Sequence, residues 1–166
     1  MSHLRSTPPP LNRRRFLASI AAAGTASAVL ATRLRAATAE TSKIPDDPLF
    51  TSAKRLAAMI KAKQISATEV VTAHIKRIEA VNPKLNAVVF PVFERALAEA
   101  KFADEATAQG RSFGPLHGVP CTIKDSHEVQ GVVSTGGTLG RKGYIPSRDA
   151  TYVARVRAAG AIVLGK

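Results

Sequence analysis

Two short, unbroken apolar runs, Val88-Val89-Phe90 and Ile162-Val163-Leu164, constrain the fold of this chain more than any other feature. A strand that is apolar at every position has both faces covered, and such strands belong to parallel sheets packed between helices. The intervening sequence supplies the helices. Thr51 or Ser52 can cap a first helix reaching to about Lys63, with Ala53, Leu56, Ala57 and Ile60 on one face. Ser66-Ala-Thr-Glu69 is a capping box, in which serine and glutamate each satisfy a backbone N–H at a helix start. The helix behind it aligns Val71, Ile75 and Ile78 and is expected to stop at Asn82-Pro83, where proline breaks the hydrogen-bond ladder. Leu85 to Phe90 reads as a strand. A third helix runs to about Ala108 with Phe93, Ala96, Leu97, Ala100 and Ala103 inward. Gly110 to Pro115 is a loop, Val119 to Ile123 a strand, Asp149 the cap of a last helix ending at Gly160, and Ala161 to Leu164 a final strand. This alternation predicts an α/β protein with a mixed, largely parallel sheet flanked by helices.

The net charge of +12 points at first to nucleic acid or a membrane surface, but its distribution removes that reading. Six arginines and no acid lie in residues 1–39, while residues 40–166 carry the other 18 basic and all 12 acidic residues. That remainder is spread along the chain as a solvated surface, so no nucleic-acid partner is expected. The basic start is a targeting segment. Asn12-Arg13-Arg14-Arg15-Phe16-Leu17 is a twin-arginine motif, and the uncharged Ala-rich stretch Phe16 to Ala31 follows it. Ala37-Thr38-Ala39 supplies a small-residue cleavage pattern. Residues 1–39 are therefore expected to be a twin-arginine signal peptide cleaved near Ala39–Glu40. Export through the twin-arginine translocase would then deliver a periplasmic or extracellular protein with no stable membrane span. A signal anchor or a basic tail is the alternative.

Lys124 is the candidate for chemistry. A lysine ending a mostly apolar strand beside Gly-rich turns can be held where desolvation favours its neutral form, and a neutral amine can act as a base. From the pattern alone, a lysine paired with Asp125 or another carboxylate is the simpler reading. The single cysteine, Cys121, reads as a small buried hydrophobe rather than a nucleophile. Gly160 to Lys166 has the spacing of a phosphate-binding loop, but its four spacers form an apolar strand. His74, His117 and His127 lack metal-ligand spacing, and His117 reads as a backbone-bonding residue of a Gly-Pro-rich turn. Ser126, Ser134 and Ser147 read as turn residues. Thr135-Gly-Gly137 is either a flexible turn or a place where backbone N–H groups approach a ligand.

Several motifs in order resemble the N-terminal part of the amidase signature family. They are Asn82-Pro-Lys-Leu-Asn86-Ala, Gly114-Pro-Leu-His-Gly-Val-Pro120, Thr122-Ile-Lys124-Asp125, Ser134-Thr-Gly-Gly-Thr138, Pro146-Ser-Arg-Asp149-Ala150 and Arg157 to Lys166. The resemblance implies hydrolysis of small-molecule carboxylic amides without metal or organic cofactor. It assigns Lys124 as the base that takes a proton from a serine in a cis peptide, which in turn activates a nucleophilic serine. Neither serine has a counterpart in residues 40–166, where no Gly-Ser-Ser-Gly pattern occurs. The chain is therefore expected to be an incomplete amidase domain, inactive alone. Two other readings remain: a truncated product without independent function, and an amidotransferase A-type subunit, which the export leader argues against.

Overall fold

The computed structural model describes residues 47–166, so the expected leader and cleavage site lie outside the described residues. Helix α1 spans Ala53–Lys61, with the Ser52 hydroxyl accepting from the Arg55 N–H at its start. Its buried face is Leu56, Met59 and Ile60; Ala53, expected inward, is exposed, and Met59 fills the face instead.

Helix α2 spans Ala67–Leu85 and opens with the expected capping box. Ser66 Oγ accepts from the Glu69 N–H, and Glu69 accepts from the Ser66 N–H at 2.8 Å. Hydrogen bonds from the Ser66 backbone N–H and hydroxyl hold the Glu69 carboxyl below its ordinary range. The other two free N–H groups of the first turn belong to Ala67 and Thr68. Both donate to the carboxylate of Asp104, at 2.6 and 3.0 Å, and the Thr68 hydroxyl adds a third bond at 2.6 Å. All four orphan donors of the helix start are thus satisfied, two of them by a residue 36 or 37 positions away. Asp104→Ala should cost about 2–3 kcal/mol, the scale of a lost cap plus unpaired donors. Urea unfolding would measure it, and a loss under half of that would show that water replaces the carboxylate.

Pro83 does not end α2. The proline stands inside the last turn, where both it and Glu79, four residues back, are exposed, so the missing N–H falls on a solvent-facing stretch. The helix ends at Asn86, whose left-handed backbone (φ 49°, ψ 39°) suits asparagine. The strand expected over Leu85 to Phe90 is also absent. The Asn82 side-chain amide accepts from the Val88 N–H at 2.8 Å and donates to its C=O at 2.9 Å, which holds the segment in a bend. Further on, Pro91 makes one antiparallel bridge to Gly165.

Helix α3 (Phe93–Ala108) buries Ala96, Ala100, Ala103 and Ala106, a stripe of small side chains along one face. Strand β1 (Pro120–Thr122) and strand β2 (Ile162–Gly165) pair in parallel, Pro120 opposite Ile162 and Cys121 opposite Val163. Helix α4 (Thr151–Ala158) lies in the connection between them. Ile162 and Leu164 enter a core with α1, α2, α3 and Val119, whereas Val163 enters a second core with Ile123, Val129, Val132 and Val153. Both faces of β2 are covered, as its unbroken apolar run requires. Among the described residues, no helix is long and apolar enough to cross a membrane.

Candidate active site

Lys124 stands just beyond β1, at the start of a turn closed by the His127 N–H donating to the Lys124 carbonyl at 3.0 Å. Its side chain is exposed, and among the described residues its ammonium makes no hydrogen bond or ion pair. The carboxylates of this region are engaged elsewhere. Glu128 pairs with Arg141 at 2.6 Å. Asp149 pairs with Arg157 at 3.0 Å and accepts the Gln130 N–H at 2.7 Å. It was expected to cap α4. Instead the helix starts at Ala150 without a side-chain cap, and Asp149 ties the loop after Lys124 to the helix flank.

Asp125 is the hub of the site. Its Oδ2 accepts from the Thr135 hydroxyl at 2.6 Å, and the Gly136 N–H also points at the carboxylate. Oδ1 lies 3.2 Å from Lys166 Nζ, a contact made by charge rather than by an aligned hydrogen bond. Burial pushes the Asp125 carboxyl up, but Thr135, Lys166 and the Gly136 N–H outweigh it and hold the group below the ordinary carboxylate value. Lys166 itself is only 4% exposed, and its Nζ donates to the Oγ of Ser134, which is 1% exposed. Ser134 donates onward to the Val132 carbonyl at 3.0 Å. Lys166 Nζ is held between Ser134 and Asp125 inside the fold. Ser134 is thus a core residue, contrary to the turn role its sequence suggested. Ser126 and Ser147 are exposed in a turn and a bend.

The remaining candidates settle into the fold. Gly160 to Lys166 contains β2, so its glycines bound a buried strand, and its lysine is consumed by Ser134 and Asp125. His117 is buried and bonds the backbone, as its turn suggested. Its Nδ1 accepts from the Phe113 N–H at 3.1 Å, so Nε2 carries the proton that lies between the Ala103 carbonyl and the Thr107 hydroxyl. Exposed His127 packs edge-on against Tyr152. Cys121 packs against the second core, and burial, with help from the Glu99 charge, pushes its thiol up to about 11 despite Arg157. At pH 8 the native thiol should therefore alkylate on the order of a hundred-fold more slowly than an ordinary cysteine of pKa about 8.5. Iodoacetamide kinetics with and without denaturant would measure this. Equal rates in both would mean that Cys121 is open to solvent.

Lys166 and Asp104 were missed at the level of sequence. Lys166 follows a strand apolar on both faces and so enters the same interior, a signal that was present but read only as a loop motif.

The family model described as Amidase matches residues 69–166. The chain is 44% identical over 122 residues to an indoleacetamide hydrolase of Bradyrhizobium diazoefficiens, covering 73% of this chain and 23% of that protein. It is 42% identical over 120 residues to the A-type subunit of the glutamyl-tRNA(Gln) amidotransferase of Acidothermus cellulolyticus, covering 72% and 24%. Among solved structures, a peptide amidase from Stenotrophomonas maltophilia superposes with a TM-score of 0.66 at 36% identity, covering 74% of this chain and 25% of that one. The chain thus spans about a quarter of the length of these relatives. A matched model over more than half of the residues, and a shared partial fold with its parallel strand pair, place this chain in the amidase signature family.

Proposed function

We propose that residues 40–166 are the lysine-bearing part of an exported hydrolase of small carboxylic amides, with Lys124 as its base. The observation that carries this reading is the state of Lys124: an amine without a partner among the described residues, just beyond a strand whose flanking residues Val119 and Ile123 enter the two cores, while every nearby carboxylate is held by another group. An amine committed to an ion pair is closed to a new partner, whereas one without a counter-charge is open to a hydroxyl brought against it. That hydroxyl belongs to a serine with no counterpart in this chain, and a second serine would attack the amide carbonyl to form an acyl-enzyme. Purified residues 40–166 are therefore expected to show no turnover of their own. The test is a hybrid in which residues 40–166 replace the matching segment of the indoleacetamide hydrolase relative. Amide hydrolysis that depends on Lys124 supports the reading, and an active hybrid indifferent to Lys124 would sink it.

A second reading, an amidotransferase A-type subunit, is supported by the identity to the Acidothermus cellulolyticus protein. The twin-arginine leader favours the hydrolase, since tRNA amidation is cytosolic chemistry.

A further inference from the structure

Asp125 immediately follows the proposed base, and on sequence grounds it is the natural partner for Lys124. The structure directs its carboxylate elsewhere. Thr135 and the Gly136 N–H hold it from the turn, and Lys166 reaches it from the end of β2. Lys166 is anchored in turn by Ser134, whose hydroxyl is fixed by the Val132 carbonyl. The Lys166 side chain is fully buried and that of Asp125 is 19% exposed, so this ion pair costs desolvation that a surface pair would not. A pair built at such a cost is a weak source of stability, and this one stands beside the candidate base. We propose that Lys166 is a positioning residue that sequesters the Asp125 carboxylate, keeping the adjacent Lys124 amine free of a counter-charge. The inference rests on Lys124 being the base. It adds that the Lys–Asp doublet works because its aspartate is committed to a second lysine.

Site-resolved acylation of lysines tests this without any turnover. The full chain is treated with an acetyl N-hydroxysuccinimide ester and Lys124 is followed by peptide mass spectrometry. Exposed Lys101 and Lys142 serve as internal standards. In Lys166→Met the released carboxylate should pair with Lys124 and slow its acylation about two- to five-fold, the size of an exposed ion pair. Asp125→Asn on the Lys166→Met background should restore the original rate. Asp125→Asn alone should leave Lys124 unchanged, because its carboxylate is already withheld. A merely structural pair predicts another pattern, since loosening the fold would leave the already exposed Lys124 no slower than in the wild type. An unchanged Lys124 rate in folded Lys166→Met would overturn the proposal, as would a rate that stays low in the double variant. Should Lys166→Met not fold, the single Asp125→Asn variant decides, and a several-fold rise at Lys124 would overturn the proposal there. The acylation pattern is independent of the hybrid assay. An inactive hybrid with the expected pattern would therefore fail the catalytic reading alone.

Discussion

Lys124→Ala should lower amide hydrolysis by the hybrid enzyme roughly a thousand-fold or more, because members of a proton-relay unit act together and losing one disables the rest. The loss should fall on kcat with KM little changed, since the proposed role of the amine is to act on a hydroxyl of the enzyme rather than on the ground-state substrate. Lys124→Arg separates a base from a mere positive charge. The guanidinium keeps the charge and nearly the length, but it does not give up its proton at any working pH. Both variants should unfold at the wild-type temperature, because the exposed Lys124 side chain makes no bond among the described residues for the fold to lose. Retention of more than about a tenth of the activity by Lys124→Arg would mean that charge suffices and the residue is no base.

A large effect on stability is expected at Gly160. Its φ of +92° is one that side chains disfavour, and a Cβ there would sit 2.8 Å from the Cα and 3.0 Å from the N of His117. These are backbone atoms, so no side chain can swing aside. At this crossing, the Gly118 N–H donates to the Gly160 carbonyl and the Leu116 N–H to the Ala159 carbonyl. The turn that leads into β1 is thereby stitched to the joint that leads into β2. Gly160→Ala combines backbone strain with overpacking and should cost about 3–5 kcal/mol. Gly110→Ala is the control, since its φ of +72° carries similar strain in open space. Its cost should be nearer 1–2 kcal/mol, roughly the strain alone. Chemical denaturation of both variants reads the difference, and equal losses would show that the two segments can separate.

What the sequence made legible was local. Ser66 and Glu69 announce their capping box because both partners lie within one turn. The alanines of α3 and the unbroken run of β2 follow from helical and strand periods, and both stand as expected. The errors came where distant groups decide. Pro83 is tolerated within the exposed last turn of α2, and Leu85 to Phe90 fails as a strand because Asn82 brackets Val88. Asp149 looked like a cap by position, yet Arg157 and the Gln130 N–H claim it. At the site, the motif around Lys124 was visible, but its freedom from Asp125 was not. That freedom depends on Lys166 and Thr135, 41 and 10 residues beyond Asp125, and no local pattern encodes either contact.

Pro91 gives the sheet a direction of growth. The segment from Val89 to Val92 lies along β2, donating from Val89, Phe90 and Val92 and accepting from the Lys166 N–H, but Pro91 has no N–H to offer. Just upstream, the Asn82 amide occupies both backbone groups of Val88. This flank is closed to further pairing, whereas β1 has β2 as its one strand neighbour among the described residues. Pro120 also lacks an N–H, so a strand that enlarges this sheet beside β1 finds its donors past Pro120, toward the Lys124 end. Lys124 follows two residues beyond that strand, so whatever extends the sheet there also borders the proposed site.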